Sequence, residues 1–203
     1  MIEIKDLTKK YGPQTVLDIP ALEIRKGESF GLVGNNGAGK TTMFRCVLDL
    51  IRPTTGSVFS KEGDVAKKEG WKLYTGSYLD EAFLIDFLTP EEYFRFVADV
   101  YHLSEGDLAA FYTDFEDFFN HEVLGKRKLI RDLSSGNRQK IGIAAALMPK
   151  PEILVLDEPF NSLDPSTQIR LKTLLKKLKI EHGMTMLISS HDLNHITEVC
   201  DRI

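Results

Sequence analysis

The sequence has few of the features that mark secreted, metal-binding or membrane-spanning proteins. Its only two cysteines, Cys46 and Cys200, lie far apart, which excludes both a disulfide framework and a zinc-type spacing. No stretch approaches about 18 consecutive apolar residues, and the opening stretch MIEIKDLTKKYG lacks the apolar centre of a secretion signal. We therefore expect a protein of the reducing cytosol that neither is secreted nor crosses a membrane by itself.

An excess of basic residues is also missing. The chain has 26 Lys and Arg residues against 30 Asp and Glu residues, a formal net charge of −4. Proteins whose main partner is a nucleic acid usually carry a clear basic excess. We therefore expect no nucleic-acid partner.

What the sequence does contain is an alternation of apolar runs and helical patterns. The runs ESFGLVG, ILVL at 153–156 and MTMLIS at 184–189 are short and bounded by polar residues or proline, as buried parallel strands are. Each is followed by a helical pattern, which favours an α/β fold with a wound, mainly parallel sheet. Short runs within residues 1–24, punctuated by Gly12, Pro13 and Pro20, predict a small antiparallel sheet before it.

The middle of the chain has a different character. Residues 77–135 read as helical and are rich in aromatic residues, and Ser104 with Asp107 forms a capping-box pattern. Two apolar helical stripes are predicted there: Phe94, Val97, Ala98 and Tyr101, then Leu108, Phe111, Tyr112, Phe115 and Phe119. We expect a single domain over 1–203, with a core of residues 1–76 and 136–203 and an inserted helical subdomain of residues 77–135.

The stretch GNNGAGKTT matches a phosphate-binding loop between a strand and a helix. We call residues 34–42 the phosphate loop; its predicted ligand-binding residues are Gly34, Asn35, Asn36, Gly37, Ala38, Gly39, Lys40, Thr41 and Thr42. Glycines let backbone N–H groups turn toward phosphate oxygens, and the helix N-terminus favours an anion. Lys40 is expected to reach the β and γ phosphates, and the Thr41 hydroxyl to bind Mg²⁺.

Two adjacent carboxylates follow the apolar run in ILVLDEP. Neighbouring side chains of a regular strand point to opposite faces, so Asp157 and Glu158 can serve one site only where the chain leaves the sheet. Pro159 marks such an exit. Since ligands of wound sheets bind at the carboxyl ends of the strands, we expect Asp157 to hold Mg²⁺ and Glu158 to accept a proton from an attacking water. His191, after the third run, is expected at the same edge.

The stretch LSSGNRQK at 133–140 begins a predicted helix far from the phosphate loop. Taken alone, its serines and glycine indicate no more than an N-cap. We call residues 133–137 the signature turn.

Together, GNNGAGKTT, LSSGNRQK, ILVLDEP, NSLD and SSHD resemble the nucleotide-binding domain of ATP-binding cassette (ABC) ATPases, in the family's order and approximate spacing. The resemblance covers nearly the whole chain and implies a P-loop NTPase fold that binds ATP and Mg²⁺. It further implies that the signature turn faces the ATP held by a second nucleotide-binding subunit, so that Ser134 and Gly136 act in trans. A separate integral membrane permease is the implied partner, with this chain peripheral on the inner face of the cell membrane.

Other roles follow from the resemblance at matching positions. Tyr11 looks like the aromatic residue that stacks on adenine, and His191 like the switch histidine that senses the γ-phosphate. Glu81 matches a loop position that usually carries glutamine and contacts water or Mg²⁺. Residues 161–164 resemble a loop that carries signals across the dimer, although Asp164 also reads as an N-cap before Pro165.

The sequence also departs from the family pattern. Ser135 replaces a glycine and Asn137 a glutamine in the signature turn, and Glu81 replaces the glutamine noted above. Two alternatives to a transporter ATPase stay open, and Ser135 and Glu81 bear on the second of them. One is a soluble ABC ATPase that acts on ribosomes or DNA; the other is a nucleotide-sensing adaptor that does not hydrolyse ATP.

Overall fold

The computed structural model describes residues 1–61 and 63–203 and contains two four-stranded sheets. The first is antiparallel, with strand order β2-β1-β4-β5. Its strands are β1 (Ile2–Tyr11), β2 (Gln14–Ile24), β4 (Thr55–Ser60) and β5 (Gly63–Asp64). Gly12, with a φ of 56°, lies in the tight turn between β1 and β2.

The second sheet is parallel throughout, with strand order β3-β8-β7-β6. Its strands are β3 (Ser29–Val33), β6 (Thr75–Tyr78), β7 (Ile153–Leu156) and β8 (Thr185–Ser190). Every residue of β7 and β8 is buried, which explains their continuous apolar character in the sequence. All four carboxyl ends meet at one edge of this sheet, and that edge positions the candidate site.

Side chains of β7 alternate between two hydrophobic cores. Ile153 and Val155 pack in the core that contains Phe44 and the antiparallel sheet, whereas Leu154 and Leu156 pack in the core formed with the later helices. The helices are α1 (Lys40–Val47), α2 (Pro90–Val100), α3 (Glu105–Asp114), α4 (Glu116–Phe119), α5 (Ser135–Leu147), α6 (Pro165–His182) and α7 (Leu193–Val199). Short 3₁₀ turns occupy Gly70–Tyr74, Glu81–Phe83 and Ile130–Asp132.

Helices α2, α3 and α4 form the aromatic-rich segment. The rings of Phe94 and Phe111 meet edge to face at 5.0 Å, and Phe119 lies 5.6 Å from Phe94. The capping box at the start of α3 has the predicted form, with Ser104 and Asp107 bonded reciprocally. These bulky side chains pack in the same hydrophobic core as α5, α6 and one face of β7.

Several details of the sequence reading were wrong. Pro20 does not interrupt the strand but lies inside β2, which is tolerated because β2 is an edge strand. Helical structure does not begin at residue 77, because β6 extends to Tyr78. The second aromatic stripe spans two helices, since Phe115 breaks the helical geometry between α3 and α4. The division into a core and an inserted subdomain stays a prediction.

Across the described ranges 1–61 and 63–203, no helix combines the length and the apolar character needed to cross a lipid bilayer.

Candidate functional site

The phosphate loop connects β3 to α1 beside the carboxyl ends of the parallel strands. Gly37 and Gly39 have φ values of 83° and 91°, which side-chain-bearing residues rarely adopt. A Cβ atom at Gly39 would lie 2.5 Å from the carbonyl oxygen of Val16, so backbone packing also requires glycine there. A cavity of about 190 Å³ opens over the loop and is lined by Val16, residues 36–42 and Glu158.

Lys40 lies at the start of α1 and its side chain is 7% exposed. Its Nζ donates to the carbonyl oxygens of Gly34 at 2.5 Å and Asn35 at 3.2 Å, and lies 3.1 Å from Glu158 Oε1. The ammonium group is thus held over the loop by three oxygen atoms. The N-cap of α1 is Gly39, which offers no side-chain oxygen to the first N–H groups of the helix. The positive charge of Lys40 and the positive end of the α1 dipole therefore both lie at the phosphate-loop cavity.

Asp157 is buried at the end of β7 and bridges two hydroxyl groups. Thr41 Oγ1 donates to its Oδ2, and Ser189 Oγ donates to its Oδ1. The predicted metal ligands Thr41 and Asp157, 116 residues apart in sequence, are therefore in direct contact. Ser189 was missed by the sequence reading, although a pair of serines at the end of an apolar run, directly before His191, is a usable signal.

Glu158 has a left-handed backbone, with a φ of 47°. Its N–H donates to Ser189 Oγ at 2.9 Å, and its carbonyl oxygen accepts from Gln139 Nε2 at 3.0 Å. These two bonds stabilise a conformation that costs a non-glycine residue about 1–3 kcal/mol. Gln139, a buried residue of α5, was also missed, because its target is a backbone atom that no sequence pattern identifies.

The Glu158 carboxylate connects Lys40 and His191. Its Oε2 accepts from the backbone N–H of His191 at 3.2 Å and lies 2.9 Å from His191 Nδ1. In the tautomer that carries its proton on Nδ1, the His191 ring donates a second hydrogen bond to this carboxylate. The three residues predicted to be catalytic, Lys40, Glu158 and His191, thus form one chain of contacts.

The signature turn lies at the start of α5. Ser134 is its N-cap, and Ser134 Oγ accepts from the N–H of Asn137 at 3.2 Å. Gly136 packs against the 161–164 loop, since a Cβ there would lie 2.6 Å from the Ser162 carbonyl oxygen. Tyr11 lies at the end of β1, 54% exposed. Neither Tyr11 nor the signature turn is among the described residues that line the phosphate-loop cavity.

Glu81 lies in the 3₁₀ turn after β6 and is engaged elsewhere. Its Oε2 accepts from Arg138 Nε at 2.6 Å. Over the described part of the chain, no group of three or more His, Cys, Asp or Glu side chains could hold a metal. One carboxylate and one hydroxyl, with nucleotide oxygens, are nevertheless a common Mg²⁺ ligand set.

Comparison with known proteins places this geometry in a family. Residues 17–161 match the family described as ABC transporter. The bacitracin transport ATP-binding protein BcrA of Enterococcus faecalis is 39% identical, with 100% of this chain and 65% of the relative covered. The lantibiotic transport ATP-binding protein SrtF of Streptococcus pyogenes is 32% identical, with 100% of this chain and 85% of the relative covered. This chain thus spans about 65% of the length of the bacitracin relative.

Solved structures give the same result. A dimeric bacterial ABC transporter cassette superimposes with a TM-score of 0.86 at 27% identity, covering 98% of this chain and 91% of that one. An ATP-binding subunit of an ABC transporter gives a TM-score of 0.85 at 29% identity, covering 99% of this chain and 83% of that one. The predicted fold class and the predicted resemblance are both confirmed. The chain belongs to the ABC transporter family.

Proposed function

We propose that this chain is the ATP-binding and ATP-hydrolysing subunit of an ABC transporter. Two nucleotide-binding subunits enclose two ATP molecules and drive a separate membrane-spanning permease. Beyond family membership, one observation carries the proposal: Lys40, Glu158 and His191 form a continuous set of contacts over the phosphate loop. An acid placed between a phosphate-binding cation and an imidazole suits the hydrolysis of a phosphoanhydride.

The phosphate loop and Lys40 bind the triphosphate. Lys40 Nζ donates to the carbonyl oxygens of Gly34 and Asn35, and phosphate oxygens are stronger acceptors than carbonyls. Binding draws Nζ toward the nucleotide and away from Glu158. Tyr11 stacks on the adenine ring, a contact worth about 1–3 kcal/mol that every base can make.

The residues beside the loop fit Mg²⁺. Thr41 and Asp157 offer hard oxygen donors in direct contact, and Ser189 orients the carboxylate from behind. Bound Mg²⁺ neutralises charge that develops on the transferred phosphoryl group. Thr41 and Asp157 are the ligands that we propose, and the Ser189 hydroxyl fixes which carboxylate oxygen faces the nucleotide.

Glu158 is the general base. Lys40 Nζ makes an ion-pair contact with Oε1 at 3.1 Å, and His191 Nδ1 lies 2.9 Å from Oε2. Oε1 is buried and accepts no hydrogen bond within the described residues. Departure of Lys40 to the phosphates leaves Oε1 available for the proton of an attacking water. His191 keeps the other oxygen oriented and reports on the γ-phosphate.

A second subunit completes each site. The cavity over the phosphate loop is open, and its lining includes Val16 and Glu158 beside the loop itself. The N-terminal end of α5, with Ser134 and Gly136, is the anion-binding element that we assign to the partner's ATP. The chain works at the inner, cytoplasmic face of the cell membrane, bound to its permease, without a nucleic-acid partner. Relatives named for bacitracin transport and for methionine import leave the direction of transport open.

Glu158→Gln tests this function. The amide keeps the size of the side chain but cannot accept the proton, so phosphate release falls by about 100-fold or more while ATP still binds. The variant accumulates as an ATP-bound dimer in size-exclusion chromatography with Mg²⁺ and ATP. Glu152→Gln, at the opposite end of β7, is the matched control and leaves turnover unchanged.

Two results would refute the proposal. A Glu158→Gln chain that binds ATP but stays monomeric at every concentration excludes the shared sites. A parent chain that binds ATP without releasing phosphate, alone or with membranes that contain its permease, favours the nucleotide-sensing adaptor.

A further inference from the structure

One ion pair ties the turn after β6 to the start of α5. Glu81 Oε2 and Arg138 Nε are 2.6 Å apart, although the residues are 57 positions apart in sequence. Their side chains are 36% and 26% exposed, so solvent screens the pair only partly. A charge-assisted bond of this length fixes both side chains.

Arg138 also bonds through its guanidinium to the backbone at the start of the signature turn and just before it. Its Nη1 donates to the carbonyl oxygen of Leu133 at 2.7 Å and lies within hydrogen-bonding range of that of Arg131, at 3.5 Å. Leu133 directly precedes Ser134, the N-cap of α5. The planar guanidinium of Arg138 thus holds the backbone in place where the chain enters α5. Glu81 in turn fixes the orientation of that guanidinium.

Glu81 is itself held close to the catalytic edge of the sheet. The N–H of Asp157 donates to the Tyr78 carbonyl oxygen at 3.0 Å, where β6 and β7 end side by side. Two residues later, Asp80 Oδ1 accepts from the N–H of Ala82 at 2.6 Å and fixes the turn that carries Glu81. A short path of hydrogen bonds and covalent chain therefore leads from the backbone of Asp157 to the signature turn.

We propose that Glu81 is a positioning residue for the signature turn and acts through Arg138, not as a Mg²⁺ ligand. The inference rests on the proposed function, because the positioned turn acts on ATP in a second subunit. An amide could accept one bond from Arg138 but could not neutralise its charge.

The central experiment measures the dimer dissociation constant with Mg²⁺ and ATP by analytical ultracentrifugation, in the Glu158→Gln background. Glu81→Gln keeps an oxygen that can bind Mg²⁺ and removes only the negative charge of the side chain. We expect the loss of each Glu81–Arg138 ion pair to weaken dimerisation by roughly 3- to 10-fold. Because a head-to-tail dimer contains two such pairs, the dissociation constant rises by about 10- to 100-fold.

A double-mutant cycle shows whether Glu81 acts through Arg138. If it does, Glu81→Gln combined with Arg138→Gln is no weaker in dimerisation than Arg138→Gln alone. With Glu158 intact, Glu81→Gln keeps the parent's ATP affinity as a monomer. At protein concentrations that saturate dimerisation, it also keeps the parent's Mg²⁺ concentration for half-maximal turnover. Glu105→Gln, which removes the charge from the exposed Arg95–Glu105 pair, is the matched control and leaves dimerisation unchanged.

The possible outcomes distinguish a failure of the positioning role from a failure of the proposed function on which it rests. Dimerisation of the parent background with an unaffected Glu81→Gln variant overturns the positioning role alone. If the effects of Glu81→Gln and Arg138→Gln on dimerisation add, and Glu81→Gln needs more Mg²⁺ for turnover, Glu81 is a Mg²⁺ ligand and the inference is wrong. A background that never dimerises overturns the shared-site function and this inference with it.

Discussion

Replacing Gly142 by alanine tests how closely α5 packs on the parallel sheet. A Cβ atom at this position would lie 2.0 Å and 2.2 Å from two ring atoms of Tyr78. Tyr78 is 4% exposed at the end of β6, so its ring has no solvent-filled space into which it can move. Either the ring or the helix must shift, and α5 carries the signature turn at its N-terminal end.

Two opposing terms set the size of the effect. Alanine favours a helix over glycine by about 1 kcal/mol, which would stabilise the protein. Overpacking a well-filled core costs about 1–3 kcal/mol, and a contact this short belongs in the upper part of that range. We therefore expect a net loss of about 1–2 kcal/mol, which lowers the Tm of a chain of this size by about 2–8 °C.

The assay is thermal and urea denaturation of the purified chain, with Gly106→Ala as the control. Gly106 also lies in a helix, but a Cβ there would meet only Ser104 Oγ, at an ordinary 3.5 Å. The control gains helix propensity without a clash, and its Tm rises by about 1–3 °C. A Gly142→Ala chain as stable as the parent, beside a stabilised control, would refute the close packing inferred for α5.

Two further predictions concern single side chains. Lys40→Ala should abolish ATP binding in a fluorescent-nucleotide titration, because it removes the cation held over the phosphate loop; unchanged affinity would mean that the loop is misassigned. Asp164→Ala should cost about 1 kcal/mol at pH 7, since its carboxylate caps α6 by accepting from the N–H groups of Ser166 and Thr167. Hydrogen bonds from the hydroxyls of Ser166 and Thr167, together with those from the two N–H groups, hold the pKa of Asp164 well below its ordinary value. The carboxylate's contribution is therefore complete above about pH 4 and fades as the pH falls toward the native pKa. Urea unfolding from pH 7 to pH 3 should show the two chains converging, and a constant difference would contradict the capping role.

Much of the site could be predicted because its signals are local. The phosphate loop needs glycines at fixed spacing, and the Asp157–Glu158 pair follows an apolar strand that ends at proline. The caps Asp164 and Ser134 are equally local, because an N-cap bonds to residues two or three positions away. Sequence patterns of this kind predict structure because the residues that interact are only a few positions apart.

The side chains that hold the site residues in place could not be predicted, because their hydrogen bonds join segments that are distant in the sequence. Gln139 reaches the backbone of Glu158, and Arg138 reaches Glu81 across 57 positions. Which partner a long polar side chain selects depends on the strand order and on how closely α5 approaches the sheet. Periodicity shows that a residue is on a buried face but does not identify the atom it contacts.

The left-handed backbone at Glu158 has a consequence for protein engineering. A regular strand would split two consecutive acids between opposite surfaces. This single twist instead places Glu158 in the wall of the phosphate-loop cavity, while Asp157 bonds to Thr41 of the same wall. Asparagine tolerates such a twist, so it should preserve the path of the chain while removing the charge. Valine or isoleucine should drive the segment back toward an extended form and swing the side chain away from the nucleotide. Replacements here should therefore be ranked by conformational preference as well as by charge.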